Sequence, residues 1–458
     1  VPMDLNRIYQ WVDDHRDECI EQLRRLIRQP SIAAQDKGVR ECAALLVEMM
    51  GGLGIESRAI AAGGQPFVYG HLTTPASPKT LIVYNHYDVQ PPEPLEEWDH
   101  EPFAAALVGD RIVARGATDS KGNLMSHLMA VRAFREVYGE VPVNLKYVFD
   151  GEEEISSPTI DRFVDEHREM LQADAGLSMD GGFEASNRPR VQFGSSGLLY
   201  IEVETSGSRQ GDLHSARARL VESAAWKAVW IAASMKDRDE NITVAGLEDD
   251  VTGPTPEERR MLEASGWDDA KQRRDLGVEG FLTGVTGPDA LQRLLYRPTC
   301  NISGLTTGYG GTGSKTVLPS KAVLKMDFRL VPRQDPMDVF GKVKRHIEGL
   351  GIDGVEVRLL GTIPPSYAPL DSDIARAVIE AARAVYPQGP ALTPRGDASG
   401  KQGPWLAAKL GVAGVSSSVG PPNWRGHAPN EFITLGHYLD GIKYVATIYA
   451  NYGRGGQA

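Results

Sequence analysis

The sequence predicts an α/β protein built on a largely parallel, doubly wound sheet, with a smaller α+β domain inserted into it. Three observations predict this class. The short apolar or small-residue segments "TLIVYNH", "VNLKYVFDGEEE", "AGLSMDGG" and "VAGVSSSVG" are interspersed with helical stretches such as "NLMSHLMAVRAFREV" and "TIDRFVDEHREMLQ". That is the pattern of strands joined by crossover helices. From about Ser195 the texture changes to "GLLYIEVETSG", "KAVLKMDFRLVP" and "GVEVRLLG", whose alternation fits half-exposed antiparallel strands. The earlier style resumes at "VAGVSSSVG". The expected division is therefore residues 1–194 and 366–458 for a discontinuous first domain and 195–365 for the insert.

Taken in order, Asp4 to about Gln29 reads as one amphipathic helix. Leu5, Ile8, Val12, Ile20, Leu23 and Ile27 fall at mostly helical spacing, and Pro30 ends it. In the insert, "LVESAAWKAVWIAASM" reads as a helix and "GLEDDVTGPTPEERR" as a polar excursion. There are no repeats, and the only biased tract is the tail "GRGGQA".

Composition narrows the function. The chain has 458 residues, 41% of them hydrophobic, enough to fill two or three cores. Its net charge is −12 with no Lys/Arg block, which argues against nucleic acid or a membrane surface as partner and leaves small substrates. Cys19, Cys42 and Cys300 are too few and too scattered for a disulfide framework or a cysteine zinc site, so a reducing, cytoplasmic compartment is expected. The start, "VPMDLNRIYQWVDDHRDE", shows no apolar signal region, and no uninterrupted apolar run reaches about 18 residues.

Open α/β sheets bind ligands beyond the carboxyl ends of their strands. "LIVYNHYD" ends in His86 and Asp88, "VNLKYVFD" runs into Glu152, Glu153 and Glu154, and "AGLSMD" ends in Asp180. Asp119 lies in "ARGATDSKGNL", a turn entering a helix, and His427 in the loop "NWRGHAPNE". Each has an ordinary reading: a packed histidine, a helix cap, a turn residue, a solvated charge run. Their joint placement outweighs these, because two histidines with several carboxylates suit borderline or hard divalent metals. Asp88, two residues from His86 on the same face, is placed to orient its imidazole. "GYGGTGSKT" is not a phosphate loop, since Ser314 separates Gly313 from Lys315 and a strand-like segment follows. His127 and His167 fall within helical stretches and read as packing or surface residues.

These residues resemble the two-metal M20 peptidases, a family that includes carnosinase-like dipeptidases, N-acyl-amino-acid deacylases and succinyl-diaminopimelate desuccinylases. "NHYDVQP", "ARGATDSKG", "GEEEISS", "SMDGG", "DLHSA", "GSKTVLP", "DFRLVP" and "HAPNE" occur in family order over most of the chain, with the nearest likeness to the dipeptidase branch. The resemblance implies two divalent ions per chain, Zn²⁺ first with Mn²⁺ or Co²⁺ as alternatives. His86, Asp119 and Asp180 would hold one, and Asp119, Glu154 and His427 the other. Glu153 would be the general base, Glu152 a bystander and Asp150 part of the strand.

The resemblance further implies that the insert is a lid and dimerisation domain, carrying His214 as an oxyanion donor that reaches across a homodimer. It maps Arg329 to the substrate carboxylate, Thr316 to a neighbouring contact, and Arg395 and Ser399 to the substrate segment "REGGS". Two departures stand out: Ala216 replaces a glycine, and Gly396 replaces the glutamate that meets the substrate amine, with Asp397 as a substitute. The expected activity is hydrolysis of dipeptides or short peptides. The alternatives are an N-acyl-amino-acid amidohydrolase and a non-catalytic binding protein on the same fold.

Overall fold

The computed structural model describes residues 3–397 and 399–454; the end of the tail, 455–458, lies outside them. The chain divides into two compact units. The first comprises Val1–Gly194, Ser366–Pro394 and Gly400–Ala458, and the second Ser195–Pro365 and Arg395–Ser399.

The first unit holds an eight-stranded, mostly parallel sheet. In spatial order its strands are Glu56–Ile60, Phe67–Leu72, Asn144–Asp150, Thr80–His86, Ala175–Met179, Ala413–Ser417, Arg190–Gln192 and Ala391–Thr393. Thr80–His86 runs parallel to both Asn144–Asp150 and Ala175–Met179, and Ala413–Ser417 parallel to Ala175–Met179. Leu81 to His86 and all of Ala175–Met179 are buried, as expected of strands covered on both faces. The long helices Lys121–Tyr138 and Leu435–Arg454 pack on each other, and Gly403–Leu410 packs on Ala175–Met179. Leu81, Val83, Tyr147, Val148 and Leu177 are at most 1% exposed. Burying each such side chain stabilises by roughly 1.5–3 kcal/mol.

The second unit is a four-stranded antiparallel sheet, ordered Asn301–Thr307, Lys321–Leu330, Gly197–Ser206, Val355–Ile363. Along Gly197–Ser206 buried and half-buried residues alternate, so one face is apolar. Leu199, Ile201, Val203, Leu324, Met326 and Phe328 on that face meet Ile231 of the helix Ala224–Ser234 and Val339, Val343 and Ile347 of Pro336–Gly349. Among the described residues, no helix is long and apolar enough to cross a membrane.

Three stretches differ from the sequence reading. The first helix is interrupted at His15, giving Leu5–Asp14 and Arg16–Ile27. There the imidazole stacks on Trp11 and its Nδ1 lies 2.8 Å from the Trp11 carbonyl, while φ −107° leaves the helical range. "TIDRFVDEHREMLQ" is likewise two helices, Ile160–Glu166 and Arg168–Leu171, parted at His167 with φ −120°. The polar excursion contains the helix Pro256–Ala264, started by a capping box in which Thr255 and Glu258 each accept the other's backbone N–H.

Candidate metal centre

The carboxyl edge of the parallel sheet in the first unit gathers the charged residues. His86 ends its strand with the ring buried, its Nδ1 3.1 Å from the Asp88 carbonyl and 3.4 Å from Asp88 Oδ1. Its Nε2 has no hydrogen-bond partner, yet lies 3.0 Å from Asp119 Oδ1 and 3.5 Å from Asp180 Oδ1. On the other side of Asp119, Oδ2 is 3.0 Å from His427 Nε2, which is 3.4 Å from Glu154 Oε2. In each triad, His86/Asp119/Asp180 and Asp119/Glu154/His427, the ligand atoms lie within 4.8 Å of one another. A buried imidazole nitrogen without a partner, aimed between two carboxylates, fits a metal ligand, and both donor sets suit a divalent ion.

The turn "DGEEEISS" divides its four carboxylates by task. Asp150 accepts from the Glu152 N–H, the Ser157 hydroxyl and the Tyr84 hydroxyl, and so closes the turn. Glu152, buried, accepts from the Gln65 N–H and from Thr159. Asp88 accepts the N–H groups of Glu153 and Glu154 at 3.1 and 3.0 Å, so it holds both this turn and His86. Glu153 and Glu154 project from the turn; Glu153 Oε1 accepts from Gln402 Nε2 at 2.6 Å and Glu154 Oε2 from Gln90 Nε2 at 2.8 Å.

The cluster's own side chains are short of positive charge. Burial and the neighbouring Asp119 push Glu154 up to about 8, and burial raises Glu153 as well. Burial, with Asp88 beside it, lifts Asp150 to about 7. The hydrogen bond to Asp119 raises His427 to about 9. Burial opposes the charged form of His86, but Asp119, Asp180 and Asp88 together raise it well above the usual histidine range. Each shift draws in a proton where a dication would supply the charge.

Several residues that build this geometry escaped the sequence reading. Glu431, fully buried, accepts from Arg115 Nη1 and Gly116 N–H on one oxygen and from Thr118 and Asp119 N–H on the other. Asn123 donates to the Thr118 and Gly181 carbonyls and accepts from the Val419 N–H, joining three loops. Gln402 and Gln90 complete the set. Glu431 lies in the quoted "HAPNE", Gln90 in "NHYDVQP" and Asn123 in "ARGATDSKGNL", signals that could have found them; Gln402 lies outside the quoted motifs.

Five sequence-predicted residues belong to the second unit. His214, in the short strand Leu213–His214 paired with Val317–Leu318, is exposed, and its Nδ1 accepts the Ala216 N–H at 3.1 Å. The Thr316 carbonyl accepts from Ser215. Ala216 is not among the residues with positive φ, so this turn does not need a glycine there. Arg329, half-buried, pairs with Leu198 across the sheet. Arg395 is buried with its guanidinium 4.0 Å above the Tyr296 ring, and Ser399 donates to the Gly197 carbonyl.

A carboxylate shared by two His/carboxylate triads at the carboxyl edge of an α/β sheet defines a dinuclear metallohydrolase. The chain belongs to peptidase family M20/M25/M40, whose model matches residues 82–451. The M20 family metallo-carboxypeptidase Sso-CP2 of Sulfolobus solfataricus superposes with TM-score 0.82 at 35% identity, covering 95% of this chain and 99% of that one. Human Beta-Ala-His dipeptidase is 26% identical over 98% of this chain and 92% of its own length. The Cys-Gly metallodipeptidase dug1 of Schizosaccharomyces pombe is 29% identical over 75% and 76%.

Proposed function

We propose that the chain hydrolyses the peptide bond of dipeptides or short peptides. His86, Asp119 and Asp180 would hold one divalent ion and Asp119, Glu154 and His427 the other, with Zn²⁺ ahead of Mn²⁺ and Co²⁺. The observation that carries this reading is Glu153, a carboxylate that belongs to neither triad, follows from the same turn as Glu154 and is held by Gln402. When bound, two divalent ions polarise an amide oxygen and lower the pKa of a water towards 7.

Glu153 takes the proton from the attacking water and returns it to the leaving amine. Gln402 engages Oε1 and so fixes the carboxylate while the second oxygen handles the proton. Asp88 sets both the His86 ring and the Glu153 backbone. On the family resemblance, His214 of a second copy would be the oxyanion donor; its Nδ1 accepts the Ala216 N–H, which leaves Nε2 as the ring atom able to donate. On the same resemblance, Arg329 would bind the substrate carboxylate with its planar fork. Thr316, Arg395 and Ser399 are substrate contacts on the resemblance alone.

The second unit would serve as lid and dimerisation domain. Its stacked Trp226 and Trp230 are 59% and 54% exposed on one helix, and the edge strand Asn301–Thr307 exposes Ile302 and Leu305, an apolar surface suited to a second copy. Buried, free Cys19, Cys42 and Cys300 accord with a reducing, cytoplasmic setting.

An N-acyl-amino-acid amidohydrolase is the second reading. It is favoured by Gly396 at the position matched to an amine-binding glutamate and by the similarity to a carboxypeptidase. The test compares the metal-free and metal-reconstituted chain on free, N-acetylated and C-amidated dipeptides. Metal-dependent cleavage lost on C-amidation is expected. Cleavage that survives N-acetylation moves the assignment to the second reading, and cleavage indifferent to chelation sinks both.

A further inference from the structure

Two of the segments that bear the candidate ligands, the turn ending at Asp119 and the loop containing His427, lie more than three hundred positions apart and are joined through one buried carboxylate. Glu431 Oε2 takes Arg115 Nη1 at 2.8 Å and Gly116 N–H at 3.0 Å; Oε1 takes Thr118 N–H at 2.9 Å and Asp119 N–H at 3.1 Å. An ionised carboxylate has about four acceptor positions, so these donors fill it. Arg115 and Glu431 are 1% and 0% exposed, and the guanidinium balances the charge that Glu431 would otherwise add behind Asp119. The other half of the observation is strain. Just before Glu431 the loop adopts left-handed backbone at Asn423, Arg425, His427 and Asn430, a course that persists only where the surroundings over-determine it. Two further hydrogen bonds fix the same junction: Ala114 N–H to the Glu431 carbonyl at 2.9 Å and the Thr118 hydroxyl to the Phe432 carbonyl at 2.8 Å.

We propose that Arg115 and Glu431 form a buried ionic clip that sets Asp119 and His427 in one register, and that metal affinity depends on it. The pair touches neither metal nor substrate; it is a positioning pair, and its role rests on the metal-centre reading above. Glu431→Gln is the informative change, because an amide keeps the volume but turns an NH₂ towards one pair of donors whichever way it is flipped. The loss expected is about 10–100-fold in metal affinity, the usual effect of removing a ligand's outer support.

The experiment uses the metal-free full chain, with Zn²⁺ competed against a chromophoric chelator, Co²⁺ absorption in the visible as a second readout, and the thermal midpoint as a third. Glu431→Gln and Arg115→Lys should both weaken Zn²⁺ binding and alter the Co²⁺ spectrum. Val445→Ala, a fully buried change in the last helix, should lower the midpoint and leave both metal readouts native. Native Zn²⁺ affinity in folded Glu431→Gln overturns the clip. Should that variant not fold, native affinity in Arg115→Lys overturns it equally. Failure of the unaltered chain to take up metal would bring down the metal-centre reading itself, a result distinguishable from either.

Discussion

Replacing Glu153 and Glu154 one at a time by glutamine separates base from ligand within a single turn. Both substitutions keep side-chain volume. At 153 the amide oxygen can still accept from Gln402, whose Nε2 stands 2.6 Å from Oε1, so the turn should keep its shape. What is lost is the proton acceptor, and a positioned base contributes about 10²–10⁴ in rate, or roughly 3–5.5 kcal/mol of barrier. Glu153→Gln should therefore retain two metals per chain and lose kcat by that factor. At 154 the replaced carboxylate is one of three groups in its triad, 3.4 Å from His427 Nε2. Glu154→Gln should lose affinity at one of the two sites, and activity should recover in part with excess metal. The assay is elemental analysis after dialysis alongside kcat on a dipeptide. If Glu153→Gln lost metal while Glu154→Gln kept it, the assignment of the turn would be off by one residue.

Other consequences are as direct. Gly122, in the first turn of its helix, could not carry a Cβ without meeting the Ala117 carbonyl at 2.3 Å and Ile433 Cδ1 at 2.7 Å. Gly122→Ala should thus cost about 1–3 kcal/mol and weaken metal binding by shifting the Asp119 turn, both measurable by denaturation and chelator competition. Burial holds His127 down to about 3, with its Nδ1 on the Tyr449 hydroxyl. The folded chain keeps this ring neutral while the unfolded chain protonates it near pH 6.5, so stability is full above that value and falls towards pH 3 by up to about 1.4 kcal/mol per unit. In metal-free His127→Leu the loss between pH 6 and 4 should be shallower by about one proton; equal slopes would contradict the account. Mixing inactive His214→Ala with inactive Glu153→Gln under subunit exchange should restore up to about half of native activity per mixed dimer if His214 acts across the dimer. No recovery despite demonstrated exchange would confine it to its own chain or remove it from the reaction.

The strand ends bearing His86, Asp88 and Asp180 were legible because apolar runs that stop at a polar residue mark where a buried strand leaves the sheet. Which loops would meet them was not legible from periodicity; the likeness to a known family supplied that, placing His427 beside residues three hundred positions earlier. The roles of Glu431, Asn123, Gln402 and Gln90 stayed hidden for a physical reason. Each acts through hydrogen bonds to distant backbone or side chains, and such pairing leaves no spacing in the chain. Glu152 shows the same limit, since within "GEEE" nothing local separates a carboxylate that ties Gln65 to Thr159 from one facing the site. The breaks at His15 and His167 were missed because their imidazoles turn back on Trp11 and Phe163, contacts that helix propensity does not count. The helix Pro256–Ala264 was overlooked although "TPEE" spells its capping box.

The position of Ala413–Ser417 in the sheet bears on how the molecule is made. This strand sits between Ala175–Met179 and Arg190–Gln192, and Ser178 meets Ser416 across 238 positions of chain. A ribosome adding roughly 5–20 residues per second needs about 10–50 s to bridge that distance. Throughout the interval the nascent sheet ends on Ala175–Met179, every residue of which is buried once folding is complete. An unpaired strand edge is a template for pairing with other chains. Translation of this protein thus includes a window, tens of seconds long, in which that edge lacks its neighbour, and slowing elongation between the codons for residues 180 and 413 should raise aggregation without changing a single amino acid.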